Sequence, residues 1–256
     1  MAYGQTSAAA PAGQAPLRIY AAGSLREPLT EIAGMYEAGT GAKTALTFGA
    51  SGLLRERIEK GEPAQVFASA DTQHPETLAA SGGNWQRPTL FVRNSLCALA
   101  LPSAGITPAN LLEKMLTPAI KLATSTPKAD PSGDYAWALF RKAEAVQPGA
   151  YAALDAKALK LTGSADAAKP PEGRGTYAWH MDEGRADVFL TYCTNALSAR
   201  KEVPRLEVVQ IPPALEVGAA YGLTARSGDP AATRFARYLL TPPAQAVFSR
   251  FGFGAP

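Results

Sequence analysis

The stretch LRIYAAGSLREPLTEIAGMYEAGTG, residues 17–41, sets the reading of the whole chain. Residues 17–22 form an apolar run of strand length. Ala21-Ala22-Gly23-Ser24 then hand over to a helical pattern, with Leu25, Leu29, Ile32, Ala33 and Tyr36 on one face. Ser24 followed by Glu27 matches a capping box, which places the helix start at Ser24. Pro28 falls in the first turn, where its missing N–H does no harm. Gly39 and Gly41 end the helix.

The same unit recurs downstream. TALTF (44–48) reads as a strand that runs into Gly49-Ala50-Ser51-Gly52 and a short helix closed by Gly61. QVFASA (65–70) is a third strand, and PETLAAS starts another helix. NSLCALALP (94–102) is a strand, LLEKML is helical, and IKLATST (120–126) is a strand. The last of these leads through Asp130-Pro131-Ser132-Gly133 into the helical DYAWALFRKAEA. Residues 158–175 are looser and rich in proline and glycine. TYAWHMDEG is a helix opened by Gly173 and Gly175, and DVFLTY (187–192) is a strand ending on Tyr192. Two more strands, LEVVQI and AAYGLTA, precede the helices DPAATRFARYLL and PPAQAVFSRF. Strands alternate with helices throughout, so the class is α/β with mostly parallel sheets. No internal sequence repeat is present.

The junctions carry the functional signal. A helix start leaves backbone N–H groups without partners, and the macrodipole adds partial positive charge. Together they bind anions without lysine or arginine. Ser24, Ser51 and Ser132 each add a hydroxyl after a strand, Gly173 opens a further helix, and Tyr192 offers a phenol at a strand end. Each serine alone reads as an ordinary N-cap, and Tyr192 alone as a buried phenol. Their joint occurrence beside small residues favours an anion cradle. Burying a dianion without partners would cost tens of kcal/mol. Charge-assisted hydrogen bonds contribute about 1.5–3 kcal/mol each, so a shell of roughly seven offsets the lost hydration.

Composition narrows the class. The 256 residues are 46% hydrophobic and 18% charged, with a formal net charge of +3, which suits a soluble globular protein with a sizeable core. No apolar stretch reaches membrane-spanning length. No basic block interleaved with aromatics argues for nucleic acid. Cys97 and Cys193 lack CxxC spacing. They are either a disulfide, in an oxidising compartment, or two buried thiols. Residues 1–16 lack the basic and apolar regions of an intact signal peptide and read as a flexible leader.

The strings AAGSL, FGASGLL and PAQVFASAD (63–71), with VFSRFGF near the C-terminus, resemble the periplasmic molybdate-binding proteins of ABC transporters, from about Leu17 to the end. The resemblance implies a two-lobed type II solute-binding fold, with lobe 1 at 17–92 and 216–256 and lobe 2 at 93–215. It implies molybdate or tungstate held in the cleft, with Ser24 and Ser51 donating from one lobe and Ser132, Gly173 and Tyr192 from the other. Ser24, Ser51 and Tyr192 touch only the oxygens of the metalate. No cofactor or catalytic step is implied. The implied setting is a periplasmic monomer that docks to an ABC permease and meets the membrane only there.

Three features depart from the family pattern. The segment 158–177 is longer, Ser132 adds a hydroxyl where alanine is usual, and Arg174 and Asp134 bring charge near the site. They keep another oxyanion or a larger anionic ligand open. A serine hydrolase is the rival class, but Gly49-Ala50-Ser51-Gly52-Leu53 lacks the last glycine of G-x-S-x-G. His74 and His180 lack the setting of a triad base. There is no HExxH motif, cysteine cluster, Walker A or GxGxxG sequence. A docking module, or the sensory domain of a regulator without its DNA-binding segment, are further alternatives.

Overall fold

In the computed structural model, which describes residues 15–256, strands and helices alternate from Leu17 onward. The expected leader, but for its last two residues, lies outside the described residues. The first lobe begins with β1 (Leu17–Ala22), α1 (Arg26–Thr40), β2 (Thr44–Gly49), α2 (Ser51–Glu59), β3 (Val66–Ser69) and α3 (Gln73–Ala80). β1 pairs in parallel with both β2 and β3. Its pattern of five buried residues out of six fits a strand covered on both faces. On α1, Leu29, Ile32, Ala33 and Tyr36 are buried as the periodicity predicts, together with Pro28.

The twelve-residue β4 (Thr89–Ala100) joins the lobes. Its first half pairs antiparallel with β9 (Gly218–Ala225), which also flanks β3. Its second half, from Leu96, pairs antiparallel with β7 (Val188–Tyr192) and β8 (Glu207–Gln210). The second lobe adds α4 (Leu111–Leu116), β5 (Leu122–Ser125), α5 (Pro131–Val146), α6 (Ala150–Lys157), β6 (Leu159–Thr162), α7 (Thr176–Asp182) and α8 (Cys193–Glu202). β5 runs parallel to both β6 and β7. The chain returns to close the first lobe with β9, α9 (Pro230–Tyr238) and α10 (Pro242–Arg250). The fold is the expected two-lobed α/β arrangement. Parallel pairing joins β1 to β2 and β3 and joins β5 to β6 and β7, and every pair that involves β4 or β9 is antiparallel.

Three local readings change. The capping box does not form: Gly23–Leu25 make a 3-10 turn, α1 starts at Arg26, and no side chain caps it. Ser24 is turned away by a long-range partner described below. The loose segment after residue 158 contains β6, whose pairing to β5 its short polar sequence does not announce. α8 follows β7 with no intervening loop, so no turn signal marks it. Cys97 and Cys193 are disulfide-bonded, with Cα atoms 4.8 Å apart. The β4–β7 register sets Cys97 opposite Thr191, which brings Cys193 within reach. The bond ties the strand that joins the lobes to the start of α8.

Candidate functional site

A cleft of about 350 Å³ lies where the strand ends of both lobes meet. β1 delivers Gly23 and Ser24 to it, β2 delivers Gly49 and Ala50, and β3 delivers Ala70. From the other side, Tyr192 ends β7 and Thr194 and Asn195 open α8. This is the crevice at the carboxyl ends of strands where α/β sheets usually bind ligands.

Of the five residues singled out from sequence, Ser24 and Tyr192 line the cleft. Ser24 Oγ and Tyr221 Oη are hydrogen-bonded at 2.9 Å. Asn94 Nδ2 donates to Tyr221 Oη at 3.3 Å and to Thr194 Oγ1 at 2.9 Å. Asn94 and Tyr221 stand on β4 and β9, so the strands that connect the lobes also anchor the cleft hydroxyls. Tyr192 Oη donates to the Ala70 carbonyl across the cleft at a long 3.4 Å. Burial pushes the phenols of Tyr192, Tyr221 and Tyr177 well up, so all three keep their O–H at neutral pH.

Ser51 is buried just behind the wall, where its Oγ accepts the Ala70 N–H at 3.1 Å. That leaves its own O–H free to donate. Ser132 is buried and does not line the cleft. Its N–H donates to Asp130 Oδ1 at 3.1 Å, and its Oγ has no partner among the described residues. Gly173 sits exposed at a turn with φ 79°, and the cleft wall begins two residues later at Gly175.

Neither charge flagged near the site faces it. Arg174 is held by Glu202 at 2.6 Å and Asp182 at 2.9 Å. Asp134 accepts the Lys128 N–H at 3.0 and 3.1 Å from its two carboxylate oxygens. Sequence reasoning missed Asp130, the N-cap of α5, which does reach the cleft. A signal was there: an aspartate before a proline is the usual order of N-cap and first helical residue. It also missed Thr162, Tyr177 and Asn195 on the second-lobe wall. Thr162 and Asn195 stand on the unannounced β6 and α8, whereas Tyr177 stands on the expected helix α7.

Three contacts close the lobes on each other. The Gly52 N–H donates to the Ala129 carbonyl at 2.9 Å. Ser198 Oγ donates to Glu27 Oε1 at 2.6 Å at the cleft mouth. The Tyr192–Ala70 bond is the third. Among the described residues, Arg26 is the one cationic side chain on the cleft wall, against the carboxylates of Glu27, Asp130 and Glu202. The remaining polar surface is hydroxyl and amide. Hydroxyls and amides of this kind can donate hydrogen bonds to a small guest.

The chain resembles an uncharacterized protein of Pasteurella multocida at 38% identity over 219 residues, 83% of this chain and 88% of that one. It is 26% identical over 251 residues to the molybdate-binding protein ModA of Escherichia coli, spanning 94% of this chain and 90% of ModA. Its fold is shared with the periplasmic molybdate-binding protein of Azotobacter vinelandii, at a TM-score of 0.71 and 19% identity over 94% of this chain and 99% of that one. It is shared equally with L-phospholactate-bound PEB3, at 0.71 and 16% over 94% and 100%. The family described as bacterial extracellular solute-binding protein matches residues 17–254, and the chain belongs to that family.

Proposed function

We propose that this solute-binding protein captures molybdate or tungstate between its lobes in the periplasm and delivers it, as a monomer, to the permease of an ABC importer. The observation that carries the reading is the convergence of uncharged donors on one cleft: Ser24 and the start of α1 from the first lobe, Tyr192 and the start of α8 from the second. Ser51 supports this wall from behind. Likeness to ModA over nearly the whole chain supports the choice of metalate. Ser132 and Gly173 leave the donor set, because one N–H is engaged by Asp130 and the other residue lies outside the wall. Lobe closure through Gly52, Glu27 and Tyr192 then excludes water and strengthens each remaining hydrogen bond.

Calorimetric titration with molybdate, tungstate, sulfate and phosphate tests the proposal. The two metalates are expected to bind tightest. Equal affinity for all four would reject selection by size and donor count. A second reading has one observation in its favour. The cleft volume of about 350 Å³ equals that of roughly a dozen waters at about 30 Å³ each, more room than a bare tetrahedral anion fills. PEB3, whose structure holds L-phospholactate, shares the fold. A small organic phosphate that binds more tightly than the metalates would favour this reading.

A further inference from the structure

Asp130, the N-cap of the 16-residue α5, brings an acidic side chain to the cleft wall. Its Oδ1 accepts the Ser132 N–H at 3.1 Å and its Oδ2 accepts the Ser125 hydroxyl at 2.6 Å. A carboxylate has about four acceptor positions, so two remain unused. Gly163, at φ 88°, makes room for it: a Cβ there would stand 2.6 Å from Asp130 Cβ and 2.3 Å from Ser125 Oγ. The carboxyl is therefore packed into a fixed place on the cleft wall.

Its surroundings hold little positive charge. Asp134 lies on its own helix, and His74, at the start of α3, stands 3.9 Å from the Asp71 carboxylate. Tyr177 and Tyr192 face it as neutral phenols. Across the cleft are Arg26 and Glu27, and on α8 Glu202, which Arg174 holds. The Arg26 guanidinium stacks over the Phe48 ring at 4.7 Å. An oxyanion entering this cleft meets a carboxyl group for which none of these side chains forms an ion pair. Two like charges in one desolvated site do not both stay ionised. Burial already pushes the Asp130 carboxyl up.

The geometry points to Asp130 as a specificity-determining residue, through which the cleft takes its anion together with one proton shared between the carboxyl and an anion oxygen. The inference rests on the oxyanion reading above. A hydrogen-bearing anion, such as hydrogen phosphate or a phosphate monoester with a hydroxyl, brings that proton itself, and Asp130 accepts the hydrogen bond. A fully deprotonated anion, such as molybdate or sulfate, binds only as Asp130 takes a proton from solvent and donates it toward the anion. Only O–H bonds change: buffer or water loses the proton and the carboxylate gains it.

The test is calorimetric titration of the full chain with sodium molybdate at about pH 6, 7 and 8, in pairs of buffers that differ in ionisation enthalpy. The wild type is expected to take up close to one proton per molybdate at the upper end, and its Kd to rise by up to tenfold per pH unit. Phosphate is expected to bind at about pH 8 without that uptake. Asp130→Asn keeps an N-cap acceptor and is expected to bind molybdate with no proton uptake and a flat pH profile. A flat profile in the wild type, or the same slope in Asp130→Asn, would overturn the inference while leaving the oxyanion reading intact. Failure of both molybdate and phosphate to bind at any pH would overturn both.

Discussion

Replacing Gly52 by alanine is expected to hold the lobes apart without harming either one. Gly52 lies in the first turn of α2, where its N–H meets the Ala129 carbonyl of the opposite lobe at 2.9 Å. A Cβ at this position would stand 2.3 Å from the Lys128 carbonyl oxygen and 2.8 Å from that of Ala129. Both are backbone atoms, so no side chain can swing clear. The facing loop has to retreat by about 0.7 Å to restore even a 3.0 Å contact, and the hydrogen bond lengthens with it. Overpacking of this kind costs about 1–3 kcal/mol, and the lost hydrogen bond about 0.5–1.5 kcal/mol. Closure is then disfavoured by about 1.5–4.5 kcal/mol, or about 10- to 2,000-fold. Within α2 itself alanine is the better helix former, so the opened protein keeps its stability. The assay pairs calorimetric titration of molybdate with thermal melting of the ligand-free protein. Affinity within twofold of wild type would refute the claim that closure at Gly52 is coupled to binding.

Four further outcomes follow from the same contacts. Ser24→Ala is expected to weaken molybdate binding by about 1 kcal/mol or more and, because it removes a partner of the buried Tyr221 hydroxyl, to lower apo stability by about 1 kcal/mol; an unchanged Kd removes Ser24 from the site. Ser132→Ala is expected to leave binding unchanged and stability equal or higher, because the lost hydroxyl is buried without a partner and the backbone N–H to Asp130 remains; a tenfold loss of affinity would restore Ser132 to the donor set. Replacing both Cys97 and Cys193 by serine opens a loop of 96 residues and is expected to cost about 4–5 kcal/mol in urea unfolding; an unchanged midpoint would contradict this. For ligand-free Asp130, burial raises the folded carboxyl above its unfolded value, so the native state binds the proton more tightly. Stability is therefore lost as pH rises from the unfolded toward the folded value. Asp130→Asn is expected to be at least as stable as wild type at about pH 7, and a lower urea midpoint would refute that sign.

How much the sequence revealed depended on distance along the chain. The strand, small-residue turn and helix at 17–41 were legible because all three signals are local. The placement of Ser24 and Tyr192 on opposite walls agreed with the strand-end rule, which needs only the order of elements. The partners of Ser24 were not legible. Tyr221 lies 197 residues away, and only the register of β4 against β9 brings it and Asn94 beneath the cleft. The pairing of Cys97 with Cys193 stayed open for the same reason, until the β4–β7 register closed it. Ser132 was misplaced by a local competitor. Asp130, one residue before Pro131, caps the helix and takes the N–H that a ligand would have used. Gly173 missed because the helix begins at Thr176, after Gly175 rather than Gly173. Of the three serine junctions, the first brings its serine to the cleft wall, while at the third the neighbouring Asp130 carboxylate lines the cleft instead.

Anomalous diffraction from a crystal grown with tungstate tests the central claim most directly. The expected result is one strong peak inside the closed cleft, within hydrogen-bonding reach of the Ser24 and Tyr192 hydroxyls through its oxygens and beside the Asp130 carboxyl. A cleft without a peak at saturating tungstate, or a peak bound only on the surface, would contradict it.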